Sequence, residues 1–135
     1  WECEPRVVLA DYHRAKTAAL FVAATEAGAI ASGADPAHWR ALGERIGEAY
    51  QVADDLRDAA GSCEELGKPV GRDAALGRPS AATELGIARA LRRMDELVDG
   101  AIAAIPDCPG AGGLEDLIRH ESRRLVPKHL ARLVA

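Results

Sequence analysis

The sequence predicts an all-α helical bundle, and three observations lead to that prediction. Alanine is abundant and aromatic residues make up only 4% of the chain, a composition that favours closely packed helices over a sheet. Apolar residues recur at helical spacing in four segments, and short connections join these segments. No segment alternates apolar and polar residues as a half-buried strand does. The 135 residues show no internal repeat and have the size of one domain.

The first predicted helix runs from about Val8 to Ser32, after an irregular lead-in that contains Pro5. The apolar positions assigned to this helix are Leu9, Tyr12, Ala19, Leu20, Ala23 and Ala27. The pair Ser32-Gly33 is typical of a helix end, because glycine readily adopts the left-handed conformation found there.

The central helix is predicted to begin at Asp35-Pro36 and to extend to about Ala60. Asp35 is a good N-cap, and proline is favoured at the first helical position. Its core side is predicted to consist of Leu42, Ile46, Ala49, Ala53, Leu56 and Ala60. Gly61 to Pro79 is too rich in glycine to be regular structure, so we predict a loop there.

Two further helices are predicted after this loop. The third has Ser80 as its N-cap and ends near Ile105-Pro106, and the fourth spans Leu114 to about Leu125. The apolar positions of the third are Leu85, Ala88, Leu91, Met94, Leu97, Val98, Ala101 and Ile102. The stretch Pro106 to Gly113 is predicted to be a loop, and Pro127 to interrupt a last turn or two.

Charge and cysteine content narrow the classes of function. A formal net charge of −4 argues against generic nucleic-acid binding. Cys3, Cys63 and Cys108 are odd in number and far apart, which favours a reducing compartment over a disulfide framework or a zinc site. No apolar run is long enough for a transmembrane segment, and no signal peptide is apparent. We therefore expect a cytoplasmic protein, and the absence of an initiator Met before Trp1 suggests a fragment of a longer chain.

One face of the central helix carries the residues that indicate chemistry. Gln51, Asp54, Asp55 and Asp58 fall within about 100° of arc at 100° per residue. Crowded carboxylates repel each other, so they indicate either a solvated acidic face or a site for a divalent cation such as Mg²⁺.

The predicted loop that follows favours the second alternative. It carries Lys68, Arg72 and Arg78, interleaved with three glycines. Carboxylates for a metal, followed by cations on a flexible loop, suit a diphosphate ligand. Lys16 and Thr17 on the first helix add a cation and a hydroxyl near an apolar wall, although Lys16 alone is also consistent with a lysine that extends to solvent.

Three segments together resemble a known family. KTAALF, YQVADDLRD and LGKPVGRDAALGRPS, in this order and at these separations, resemble the C-terminal half of trans-prenyltransferases, the short-chain isoprenyl diphosphate synthases. The chain is most similar to bacterial geranylgeranyl and farnesyl diphosphate synthases. The resemblance covers essentially all 135 residues, including the closing LEDLIRHESRR segment.

The resemblance implies an all-α isoprenoid-synthase bundle, usually a homodimer, with two Asp-rich motifs that face each other across a cavity. It implies that Asp54, Asp55 and Asp58 form the second motif. Asp54 is then the first candidate for a direct Mg²⁺ ligand, and the other two act directly or through metal-bound water.

The resemblance also implies roles for residues outside the acidic motif. Lys16 and Lys68 would hold the allylic diphosphate, while Thr17 and Gln51 would place oxygens beside the reacting isoprenoid carbons. Asp73 and Arg78 match positions on the loop that closes over the diphosphate. Two substitutions depart from the family pattern: Arg78 stands where many members carry Lys, and Tyr50 where Phe is commoner.

The implied reaction is the Mg²⁺-dependent condensation of an allylic prenyl diphosphate with isopentenyl diphosphate, with geranylgeranyl diphosphate as the expected product. The first Asp-rich motif and the isopentenyl diphosphate pocket belong to the N-terminal half of the family and are not in this sequence. We therefore expect these 135 residues alone to be inactive. Two alternatives stay open: a non-catalytic, half-length partner of a full synthase, and a class I terpene-handling enzyme that ionises a prenyl diphosphate without chain elongation.

Overall fold

The computed structural model describes residues 11, 14–60 and 81–131, and all of its regular structure is helical. The six α-helices are α1 (Ala19–Ala31), α2 (Arg40–Ala60), α3 (Ala81–Leu85), α4 (Ile87–Ala103), α5 (Ala111–Leu125) and α6 (Lys128–Ala131). A π-helical turn, Arg14–Ala18, leads into α1, and a 3₁₀ turn, Pro36–Trp39, leads into α2. No strand occurs in these ranges, so the predicted all-α class is confirmed.

Capping residues set the boundary between α1 and α2 as predicted. α1 ends at Ala31, and Gly33 follows with φ 77°. The Asp35 side chain accepts a hydrogen bond from the backbone N–H of Ala37 at 2.9 Å, as an N-cap does. The residues after this cap first form the 3₁₀ turn, so the central α-helix begins at Arg40 rather than at Pro36.

The third predicted helix is not continuous, so the prediction of a single helix there is wrong. Gly86 has φ 77°, a left-handed conformation that interrupts the helix and separates α3 from α4. α4 then ends at Ala103, two residues before the predicted end. Ser80, its predicted N-cap, and the predicted loop Gly61 to Pro79 lie outside the described residues.

The fourth predicted helix begins three residues too late. α5 starts at Ala111, so Gly112 and Gly113 belong to its first turn rather than to the preceding loop. It ends at Leu125 as predicted, and α6 forms the expected last turn beyond Pro127.

The hydrophobic core lies mainly between α2 and α4. Its buried members are Ala49, Val52, Ala53, Leu56, Ala81, Ala90, Leu91, Met94, Leu97, Val98 and Leu130. Full burial of a Leu or Met side chain contributes about 1.5–3 kcal/mol, so this interface accounts for much of the stability. Arg93 of α4 donates a hydrogen bond of 2.8 Å to Glu48 of α2, and this bond raises the pKa of the Arg93 guanidinium.

The described apolar positions predicted for the first helix are not the ones that it buries. Leu20 is 72% exposed, and Ala19, Ala23 and Ala27 are exposed as well. The buried residues are instead Ala18, Val22 and Ala29. Ala18 and Val22 face α2 where Gly47 and Gly43 let the two backbones approach closely. Leu9 and Tyr12 lie outside the described residues.

None of the described helices is both long enough and apolar enough to cross a membrane.

Candidate functional site

A continuous hydrogen-bonded chain links the π-helical turn before α1 to α2 and α3 at the acidic face. The Thr17 hydroxyl donates to Gln51 Oε1 at 2.7 Å. Gln51 Nε2 donates to Asp55 Oδ1 at 3.0 Å, and the backbone N–H of Ala81 donates to Asp55 Oδ2 at 2.9 Å. One buried amide and one buried carboxylate therefore connect residues that are up to 64 positions apart (81 − 17) in the sequence.

Local backbone geometry explains how these groups meet. Gln51 and Asp55 are four residues apart on α2, which places their side chains one above the other. Thr17 lies in the π-helical turn next to Ala18, whose backbone is the nearest neighbour of Gly47. Because Gly47 has no Cβ, this turn packs directly on α2 one helical turn before Gln51.

Burial bears on one of the two interpretations of the acidic face, the solvated one. Gln51 is 2% exposed, Asp55 is 1% exposed and Asp58 is 6% exposed. A solvated acidic face would leave these side chains in water, so that interpretation is wrong for all three. Buried carboxylates require partners, and both oxygens of Asp55 accept hydrogen bonds.

Asp54 differs from its neighbours in exposure. Its side chain is 29% exposed, and Oδ1 lies 3.2 Å from an Nη atom of Arg57, whose side chain is 27% exposed. The Arg57 guanidinium also lies 5.9 Å from the centre of the Tyr50 ring, which packs 5.5 Å from Phe21. Arg57 was not among the predicted site residues, although its spacing of three from Asp54 on a helix predicts an ion pair.

The other predicted site residues are only partly within the described structure. Lys16 directly precedes Thr17 in the π-helical turn and is exposed. Lys68, Asp73 and Arg78 lie outside the described residues, so their predicted roles stay predictions.

The donor set at this face is compatible with Mg²⁺. This ion is usually held by one or two carboxylates, and substrate phosphates and water complete its octahedron. Asp54 offers a partly exposed carboxylate, and Asp58 lies one helical turn further along α2. Within residues 14–60 and 81–131, however, no group of three or more His, Cys, Asp or Glu side chains is arranged to hold a metal ion without other ligands.

An apolar cleft of about 370 Å³ lies between α1, α2, α4 and α5. Its walls include Phe21, Tyr50, Met94, Leu117 and Leu125. Tyr50 lines this cleft and also contacts the Arg57 guanidinium. Its ring therefore lies between the apolar cleft and the charged Arg57 side chain.

Comparison with known proteins identifies the family. The polyprenyl synthetase family model matches residues 7–107, which include every predicted site residue. The chain belongs to the polyprenyl synthetase family. The match extends from the segment before Thr17, through α2, to the end of α4.

Curated relatives of this family match over most of the chain. The geranylgeranyl diphosphate synthase of Cereibacter sphaeroides is 50% identical over 131 residues, which are 97% of this chain and 46% of the relative. The geranylgeranyl diphosphate synthase of Rhodobacter capsulatus is 48% identical over 93% of this chain and 44% of its own length. The farnesyl diphosphate synthase of Escherichia coli is 39% identical over 72% of this chain and 34% of its own length.

The chain spans slightly less than half the length of the two geranylgeranyl diphosphate synthases that it matches.

Proposed function

We propose that the protein carrying this chain is a prenyltransferase that condenses an allylic prenyl diphosphate with isopentenyl diphosphate, with geranylgeranyl diphosphate as its product. The observation that carries this proposal is the buried chain from Thr17 through Gln51 to Asp55, beside the partly exposed Asp54. Membership in the polyprenyl synthetase family and 50% identity to a geranylgeranyl diphosphate synthase support the choice of reaction and product.

In this proposal, Thr17 and Gln51 stabilise the allylic cation that forms when diphosphate departs. The hydrogen of the Thr17 hydroxyl points to Gln51, so the lone pairs of the Thr17 oxygen face elsewhere. The bond from Gln51 Nε2 to Asp55 fixes the amide, with its oxygen 2.7 Å from that of Thr17. Two preoriented oxygen atoms favour positive charge at an adjacent carbon, and they need no reorganisation during the reaction.

In this proposal, two further sets of side chains act on the diphosphate or its metal. They are the carboxylates of Asp54, Asp55 and Asp58 and the cations of Lys16, Lys68 and Arg78. Asp54 would hold Mg²⁺, Asp58 would add a second carboxylate, and Asp55 would orient Gln51. Bound Mg²⁺ would supply positive charge that stabilises the departing diphosphate. The cations bind diphosphate oxygens, and Asp73, which lies between Lys68 and Arg78 in the sequence, belongs to the same diphosphate site. A homodimer and a cytoplasmic location are part of the same proposal.

A product assay tests the reaction. The protein that carries this chain is incubated with farnesyl diphosphate, labelled isopentenyl diphosphate and Mg²⁺. We expect the label to appear in a 20-carbon prenyl diphosphate. Chelation of the metal abolishes this product, and Asp54→Asn lowers its rate by about 100-fold because charge on the leaving group loses stabilisation. Arg124→Met, on the exposed face of α5, serves as the matched control with unchanged turnover.

Other outcomes of the assay would contradict the proposal. Release of diphosphate from farnesyl diphosphate without incorporation of label would identify a terpene-handling enzyme. No reaction, combined with altered turnover of an added full-length synthase, would identify a non-catalytic partner. Sedimentation of the same sample tests the homodimer.

A further inference from the structure

Arg57 brings a positive charge to the carboxylate that the proposed function assigns to the metal. Its guanidinium lies 3.2 Å from Asp54 Oδ1, and both side chains are less than one-third exposed. Like charges crowd this face, since Asp55 and Asp58 are buried next to Asp54 on α2. A cation at this point offsets their mutual repulsion in the metal-free protein.

The surroundings of Arg57 restrict the guanidinium to this position. It lies 5.9 Å from the centre of the Tyr50 ring, an arrangement that favours a cation over the ring face. Tyr50 is itself packed on Phe21 at a ring-centre distance of 5.5 Å. Arg57 Nε is buried and has no hydrogen-bond partner among the described residues, so the contacts with Asp54 and Tyr50 are the ones that orient the group.

We propose that Arg57 is a built-in counter-ion of Asp54 that competes with the divalent cation for its carboxylate. The inference rests on the proposed function, because it concerns the residue that would hold Mg²⁺. A divalent cation that approaches Asp54 must displace the guanidinium from Oδ1 or bind beside a positive charge. Arg57 therefore weakens the binding of the metal alone and makes tight binding depend on the negative charge that a diphosphate brings.

The surroundings of Arg57 distinguish the Asp54–Arg57 pair from an ordinary surface ion pair. Exposed pairs such as Arg124 with Glu121, which has the same spacing of three residues, are well hydrated and contribute little. The Asp54–Arg57 pair is partly desolvated, and a third group, Tyr50, holds its cation. The electrostatic effect of removing the charge is correspondingly larger at Arg57 than at Arg124.

Binding of Mn²⁺ alone, measured by electron paramagnetic resonance on the protein that carries this chain, tests the inference without using activity. We expect Arg57→Met to bind Mn²⁺ about fivefold to tenfold more tightly than the parent, since a positive charge near a divalent ion is removed. Met keeps an unbranched apolar stem against Tyr50. Arg57→Lys retains the charge, so its affinity is expected to stay within about twofold of the parent.

Two controls separate the possible causes. Arg124→Met makes the same change in net charge within an exposed pair of the same spacing, and its affinity for Mn²⁺ should not change. Addition of inorganic pyrophosphate should tighten Mn²⁺ binding more in the parent than in Arg57→Met, because only the parent has a guanidinium beside the metal whose repulsion the anion can offset. If Arg57→Met fails to show a helical circular dichroism spectrum, Arg57→Gln replaces it in the same comparison.

The outcomes distinguish this inference from the proposed function. Unchanged or weaker Mn²⁺ binding in Arg57→Met overturns the counter-ion role. If Asp54→Asn weakens Mn²⁺ binding in that same experiment, the metal role of Asp54 stands and only the inference about Arg57 fails. If Asp54→Asn leaves Mn²⁺ binding unchanged with and without pyrophosphate, the metal assignment itself fails, and the inference fails with it.

Discussion

The Thr17 hydroxyl links the π-helical turn before α1 to the polar side chains of α2. It donates to Gln51 Oε1, an atom of a side chain that is 2% exposed. A buried amide oxygen has no water to replace a missing donor, so this hydrogen bond matters for stability as well as for the proposed chemistry. The two contributions can be separated, because stability is measured without substrate.

We expect Thr17→Val to lower the free energy of unfolding by about 1–3 kcal/mol, the cost of leaving a buried polar group without its donor. Valine has nearly the same shape, so no cavity confuses the result. Thr25→Val is the matched control, because the Thr25 hydroxyl only donates to the Val22 carbonyl within its own helix, at 3.0 Å. Urea denaturation of both variants checks the prediction, and equal losses for the two would contradict it.

At the scale of helices, two glycines decide how α1 meets α2. A Cβ on Gly43 would lie 2.6 Å from Val22 Cα and 2.6 Å from Thr25 Oγ1. A Cβ on Gly47 would meet the Ala18 backbone at a closer approach still. The two glycines are four residues apart and share one face of α2. On this face, no side chain of either glycine separates the α2 backbone from the segment that packs against it.

This close contact predicts that a glycine-to-alanine substitution changes the free energy of unfolding in opposite directions at Gly43 and at Gly28. Gly43→Ala should lower the free energy of unfolding by about 1–3 kcal/mol, since the added methyl group meets backbone atoms that cannot move aside. Gly28→Ala, on α1, should raise it by up to about 1 kcal/mol, because nothing lies within 4 Å and alanine favours the helix. Chemical denaturation of both variants is the measurement. Stabilisation by Gly43→Ala would show that the helices do not pack this closely.

The contacts of α1 also show where prediction from the sequence fails. α1 is apolar on nearly all sides, so periodicity could not select its buried face, and Leu20, one of its predicted apolar positions, is 72% exposed. The buried face is chosen by the glycines of α2, which is information from another segment. Gly86 was overlooked for a related reason: the apolar period continues across it, and only its positive φ breaks the helix.

Prediction succeeded where local chemistry dictates the result. Asp35 and Pro36 form a cap by side-chain and ring geometry alone, and the cap is present. The spacing of Gln51 and Asp55 fixes them on one face of α2, and they are hydrogen-bonded there. Their near-complete burial could not be predicted from spacing, because it depends on Thr17 and Ala81, which approach from distant segments.

For the molecule as a whole, one core joins segments that are far apart in the sequence. Val52 and Leu56 of α2, Leu97 of α4 and Leu130 of α6 belong to the same buried cluster. α6 has only four residues and follows Pro127, so it has little helical stability of its own. Its place in the structure must come from burial of Leu130, which is 4% exposed.

Leu130→Ala therefore tests whether this short last helix is an integral part of the fold. We expect the free energy of unfolding to fall by about 2–5 kcal/mol, as for other buried leucines, because a cavity opens in the shared core. Leu117→Ala is the matched control: Leu117 is 54% exposed on α5, and its loss should cost less than about 1 kcal/mol. Both are measured by urea denaturation, with the slope of the transition unchanged if the molecule unfolds as one unit. A cost for Leu130→Ala as small as that for Leu117→Ala would mean that α6 lies on the core without stabilising it.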